Sequence, residues 1–204
     1  MSIKLPRKIY LSAGHSNRAG RDRGASGNGF IEGELTVDAR NRIANQLRLE
    51  GHVPLQDGND SILKDTLTWL RNKTTNDCIV LDMHWNAASS PAATGIEVLI
   101  PGTPTQFEVD LASAIANALQ GVLGLPLRGV HRRKVGNKTF AYPGVKTELE
   151  SHHGRLGWMR LTGQNILIEF CFISNPNDMQ KWIANRDTAC QAVAKVLADF
   201  ANRA

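Results

Sequence analysis

The sequence predicts an α/β protein built on a mainly parallel sheet with helices on both faces. Two patterns carry this. Apolar runs of strand length alternate along the chain with segments of helical periodicity, as in folds where helices connect parallel strands. Two of those runs, at residues 78–83 and 166–173, are nearly continuous, which marks strands buried on both faces. The chain has 204 residues, 42% hydrophobic and 21% charged, enough for a sizeable core. There is no internal repeat and no Pro/Gly/Ser linker, so residues 1–204 are expected to form a single domain.

Residues 8–13 open the fold as a strand that ends in Gly14 and His15, followed by a polar, glycine-rich loop to Gly29. A helix fits from about Glu32, with Leu35, Ala39, Ile43 and Leu47 on one face and Gly51 as its stop. Residues 53–55 read as a short strand. Ser61 then caps a second helix whose apolar side is Ile62, Leu63, Leu67 and Leu70. The run at 78–83 is a buried strand that ends in His84, Trp85 and Asn86, and 95–100 is a strand with some alternation. A long helix spans about 107–123. Residues 126–153 are irregular and basic, with room for short strands, and 156–161 fit one helical turn. The last strand is 165–173. One or two helices close the chain, with Ala189, Val193, Val196, Leu197 and Phe200 facing inward.

Net charge is +5, which favours an anionic partner. The most basic stretch runs from Arg128 to Lys138, as either a solvated loop or a substrate-binding edge. No run reaches transmembrane length, and the basic start lacks an apolar stretch of signal-peptide length. Cys78, Cys171 and Cys190 make no disulfide framework; buried free thiols are expected.

Glu169 is the anomaly. Among residues 166–173 it is the one residue that is not apolar, and an unpaired carboxylate in such a strand is expensive. An arginine partner would make it a buried ion pair. His15 and His84 also stand near strand ends, and Glu32 begins the helix after the first loop. In this architecture ligands bind beyond the carboxyl ends of the strands, so the four residues can meet at one edge. Two histidines and a carboxylate form a common catalytic zinc set that leaves a position open for water, and a further carboxylate can move protons.

The segments at 11–16 (LSAGHS), 24–35 (GASGNGFIEGEL), 81–87 (LDMHWNA), 95–100 (GIEVLI) and 167–178 (LIEFCFISNPND) resemble the zinc-dependent N-acetylmuramoyl-L-alanine amidases of the Amidase_3 type, in order and approximate spacing. The resemblance implies a twisted, mainly parallel six-stranded sheet. It implies one Zn²⁺ held by His15, Glu32 and His84, with Glu169 as general base and then general acid. The implied reaction is hydrolysis of the amide between the lactyl group of N-acetylmuramic acid and L-alanine in peptidoglycan. Glu32 is preferred to Glu34 because it shares the inward side of Leu35, while Glu34 is rotated by about 100°. Asn86 is a candidate substrate contact, with a turn role as the alternative.

Thr36, where many members carry Asn, and Trp85, where a small residue is common, depart from the family pattern. Several alternatives stay open. His152 and His153 are competing ligands, and Cys171, two residues past Glu169 and on its face in a regular strand, suggests a Cys-His hydrolase. Another zinc amidohydrolase, or a silent module binding wall polymer or nucleic acid through the basic stretch, completes the set. With low aromatic content, nucleic acid is not expected as a partner, and neither is membrane insertion; a monomer is expected. A catalytic domain without an export signal suggests a phage-type lysin, made in the cytoplasm and acting on the wall from the host periplasm.

Overall fold

The computed structural model describes residues 5–151 and 154–203. In chain order the elements are β1 (Ile9–Ser12), β2 (Ser26–Gly27), β3 (Phe30–Ile31), α1 (Glu32–Leu49), β4 (Leu55–Gln56), α2 (Leu63–Leu70), β5 (Ile79–Asn86), β6 (Glu97–Ile100) and α3 (Gln106–Leu123). They continue as β7 (Val130–Val135), β8 (Lys138–Pro143), β9 (Val145–Thr147), β10 (Gln164–Phe172) and α4 (Pro176–Ala201). Short 3₁₀ turns lie at Glu148–Glu150 and Trp158–Arg160.

Six strands form the central sheet in the order β4-β1-β5-β10-β6-β9. All neighbours are parallel except β10 and β6. The three central strands β1, β5 and β10 therefore run the same way and end on the same edge. Helices lie on both faces, unequally. The long helices α1, α3 and α4 share one face with the main core, where Ile43, Leu47, Ile115, Leu119, Val193 and Leu197 are sealed from solvent. The opposite face carries the short α2 and the turn at Trp158–Arg160 over Tyr10, Val80, Leu99 and Leu167. That thinner cover leaves room for a pocket.

Local chemistry explains the boundaries. Thr105 caps α3, and Glu108 returns a carboxylate to the Thr105 amide. At the end of β10, Asn175 accepts bonds from the Asn177 and Asp178 amides, and Pro176 begins α4. Buried Asp178 reaches back to the Phe172 amide at 3.0 Å and across to the Gly95 amide at 3.0 Å. The SNPND stretch is thus a clasp that ties β10 to its helix and to β6.

Several expectations are corrected. Ser61 does not cap α2; Ile62 occupies that position, and its amide is met by Asp65. Leu63 points largely to solvent, so the apolar side of α2 rests on Leu70 and partly on Leu67. The short strand is 55–56, not 53–55. β5 does not stop at residue 83 but runs through His84 to Asn86. The chain closes on one helix, α4. The glycine-rich loop contains the hairpin β2–β3, turned by Asn28 and Gly29, both at positive φ; Asn-Gly is the pair that such two-residue turns favour. The basic stretch is largely a second hairpin, β7–β8.

Candidate active site

Glu32 is the first residue of α1, and its position there follows from the hairpin before it. The Glu32 amide donates to the Ala25 carbonyl at 2.9 Å, and the Ala25 amide donates to Glu32 Oε2 at 2.8 Å. The other oxygen, Oε1, accepts from the Trp85 amide at 3.0 Å. Glu32 is buried at 4% exposure, on the side of Leu35, whereas Glu34 faces outward and pairs with Arg23. The helix face therefore turns Glu32, and not Glu34, toward the two histidines.

Around Glu32 Oε1 stand the two histidines. His84 Nδ1 lies 3.2 Å away and His15 Nε2 lies 3.4 Å away. The imidazoles meet edge to face with centroids 4.9 Å apart. One ligand atom from each of His15, Glu32 and His84 falls within 4.8 Å of the others. Two glycines permit this crowding. Both are at positive φ; a Cβ on Gly24 would lie 2.4 Å from Glu32 Oε2, and one on Gly14 would lie 2.7 Å from the His84 ring.

Sequence reading did not find Asp82. Its carboxylate is buried, faces His84 Nε2 at 3.1 Å and accepts from the Gly14 amide at 3.0 Å. The signal was present: in a strand, residues two apart share a face, so the Asp of LDMH had to point with the His. Burial works to lower the His84 pKa, but the Asp82 and Glu32 carboxylates outweigh it and hold the ring well above its ordinary value. Glu32 shows the converse. Burial works to raise it, but hydrogen bonding to both histidines holds it far below the usual carboxylate range.

Glu169 pairs in register with His84 on one side and with Glu97 on the other. It has no arginine partner among the described residues; its Oε2 is sealed without any hydrogen bond. Burial pushes its carboxyl up to about 8, against the pull of the His84 charge. It does not sit at the end of β10, which continues to Phe172. Between Glu169 and Phe172 the register with β5 gains an extra residue. That bulge turns Cys171 into the main core, with Phe170 and Ile173, and away from the face of Glu169. Burial raises the Cys171 thiol well above its ordinary value, so a cysteine nucleophile has neither the direction nor the ionisation it needs.

His15, Glu32, His84, Asn86 and Glu169 all line one cavity of about 480 Å³, walled on its apolar side by Leu99, Leu156, Trp158 and Leu167. Asn86 Nδ2 is sealed from solvent without a hydrogen-bond partner. Trp85 turns its ring away, into a cluster with Phe170 and Trp182 at 4.8 and 4.9 Å. Its departure from the family pattern is thus a matter of core packing. Thr36 is sealed in α1, bonded to the Gly33 carbonyl. His152 and His153 lie outside the described residues.

The model of the family described as N-acetylmuramoyl-L-alanine amidase, Amidase_3, matches residues 9–200. The chain belongs to the Amidase_3 family. Among curated relatives, the N-acetylmuramoyl-L-alanine amidase LytC of Bacillus subtilis (strain 168) is 26% identical over 188 residues, which is 91% of this chain. The chain spans about a third of that relative's length (34%). Among solved structures, a Neisseria meningitidis protein provisionally assigned as an N-acetylmuramoyl-L-alanine amidase is similar at TM-score 0.73 and 28% identity, over 95% of this chain and 94% of that one. The amidase Ami1 of Mycobacterium smegmatis shares the fold at TM-score 0.71 and 16% identity, covering 98% and 99% of the two chains. The six-stranded, mainly parallel sheet matches the fold of these amidase structures.

Proposed function

We propose that the chain is a zinc-dependent amidase that hydrolyses the bond between the lactyl group of N-acetylmuramic acid and L-alanine in peptidoglycan. The observation that carries this reading is the convergence of His15, Glu32 and His84 beside Glu169 in one cavity. A cation fits the donor set. Both nitrogens of His84 face carboxylate oxygens, so the ring needs positive charge, from a second proton or from a metal ion, to meet both. His15 turns Nε2 toward Glu32 Oε1 at 3.4 Å, while its Nδ1 lies 3.3 Å from Asp22 Oδ1. Two imidazoles and one carboxylate suit zinc and leave a position open. When bound, the ion supplies positive charge that acidifies a water and polarises the substrate carbonyl.

The chain's own residues supply the rest. The Ala25 and Trp85 amides hold Glu32 in place, and Asp82 accepts the Nε2–H of His84, which fixes the tautomer that turns Nδ1 toward Glu32. Glu169 takes a proton from the attacking water and gives it to the departing L-alanine nitrogen. Burial raises its carboxyl and a bound cation beside it would lower it, an opposition that suits a group that must do both. Asn86, which lines the cavity, is the candidate substrate contact.

Metal analysis with mass spectrometry of digested peptidoglycan tests the reading. One zinc per chain, loss of cleavage on chelation, recovery with zinc and new N-terminal L-alanine are expected. Full-rate cleavage by the metal-free protein would overturn it. We infer further that the setting is phage-type lysis from the periplasmic side of a host wall, which the net charge of +5 suits. Permeabilised bacteria should then lyse on addition of the protein; intact cells alongside digested sacculi would refute a lytic role.

A further inference from the structure

We propose that Arg128 and Lys146 form a subsite beside the catalytic cavity that binds a free carboxylate on the peptide stem. This rests on the amidase reading. The argument begins with register. His84, Glu169 and Glu97 are directly paired across β5, β10 and β6, so their side chains share a face. The next row is Asp82, Leu167, Leu99 and Lys146, across β5, β10, β6 and β9. Asp82, Leu167 and Leu99 line the cavity, and Lys146 extends that row by one strand. The cavity's β6 side therefore runs toward two cations.

Glu97 anchors both. It is buried at 8% exposure, and Arg128 Nε at 2.7 Å and Lys146 Nζ at 2.9 Å bind the same oxygen, Oε1. Two positive charges on one carboxylate leave one in surplus, and among the described residues Arg128 and Lys146 make no salt bridge to any other Asp or Glu. Arg128 is also fixed by an Nη1 bond to the Thr94 carbonyl at 3.3 Å and by Phe172, whose ring centre lies 4.8 Å away. Among the described residues, its Nη2 makes no hydrogen bond to protein, and the side chain is 40% exposed. A guanidinium held at one edge and over one face, with another edge open, is pre-organised for a carboxylate.

The backbone makes space for both cations. A Cβ on Gly95 would lie 2.9 Å from Arg128 Cγ, and one on Gly129 would lie 2.4 Å from Lys146 Cε. The reach also fits. Neighbouring strands are about 4.8 Å apart, so β6 lies about 5 Å beyond Glu169. An extended peptide advances about 3.4 Å per residue, so a stem that runs from Glu169 across β6 would bring the residue after L-alanine to the Glu97 side, where Arg128 is held.

The test uses two synthetic muramoyl peptides that differ only in carboxylate or carboxamide at the residue after L-alanine. Wild-type protein should favour the carboxylate by about tenfold or more in kcat/KM, expressed in KM, the range of a charge-assisted bond. Arg128→Gln should abolish the preference, with the loss falling mainly on the acidic peptide, and Arg128→Lys should restore part of it. Calorimetry with the corresponding free peptides, acidic and amidated, reads binding directly. An unchanged preference in both Arg128→Gln and Lys146→Gln, or equal losses on both peptides, would overturn the proposal. Should thermal unfolding show Arg128→Gln to be misfolded, Lys146→Gln, which leaves Arg128 on Glu97, decides. If wild type cleaves neither peptide, the amidase reading fails; calorimetry still judges the subsite, which falls if both peptides bind alike.

Discussion

Glu169→Gln keeps the shape of a side chain and removes its charge and its transferable proton, so it separates two consequences of burial. For turnover, loss of a positioned acid–base group costs about 10²–10⁴-fold, or about 3–5 kcal/mol of barrier. For stability the sign is opposite. The carboxyl is raised from 4.5 to about 8 in the folded, metal-free chain. Below about pH 4.5 it is protonated in both folded and unfolded states and contributes no difference. As pH rises, the unfolded chain releases the proton first and the folded state loses relative stability, until the loss is complete above about 8. The ceiling is about 5 kcal/mol. Denaturant unfolding of metal-free wild type and variant from pH 4.5 to 9, beside turnover with zinc restored, makes the comparison. The stability curves should converge at acid pH and separate as pH rises, with the variant the more stable and nearly inactive. A pH-independent stability difference, or wild-type turnover in the variant, would refute the reasoning.

Asp82→Asn should weaken zinc affinity by about 10–100-fold, because the carboxylate that orients His84 is lost; competition against a chelating dye measures it, and unchanged affinity would dismiss Asp82 as an orienting group. Arg40 and Asp57 form a buried pair at 2.7 Å, and Asp57 also accepts from the Ala13 amide just before the His15 loop. Arg40→Met should therefore destabilise by about 3–5 kcal/mol in denaturant unfolding, since it strands a buried charge; a negligible change would show that Ala13 and Thr66 satisfy Asp57 unaided. Cys171→Ala should leave turnover of peptidoglycan unchanged. A collapse of activity in a folded Cys171→Ala protein would revive a thiol mechanism.

What was local in the sequence was legible there. Periodicity located β1, β5, β10 and the long helices, and helix geometry placed Glu32 on the inward side and Glu34 on the outward side, where it pairs with Arg23. Capping chemistry was less secure. Ser61 is a good cap residue by type, yet Ile62 takes the position because Asp65 serves its amide. The Asn28-Gly29 hairpin and the inward Asp82 were equally local and went unread, although each had a signal in turn preference or strand alternation.

The sequence by itself determined which residue types are available and which element carries each: an imidazole after β1, a carboxylate at the first turn of α1, a second imidazole on β5 and a lone carboxylate in β10. The tertiary structure alone decided their relation. Strand order set β1, β5 and β10 side by side, register set Glu169 between His84 and Glu97, and one extra residue in β10 sent Cys171 to the other face. The physical reason is that periodicity reports the face of an isolated element. Register and bulges come from pairing with a partner strand, and a slip of one residue exchanges every side chain between core and pocket.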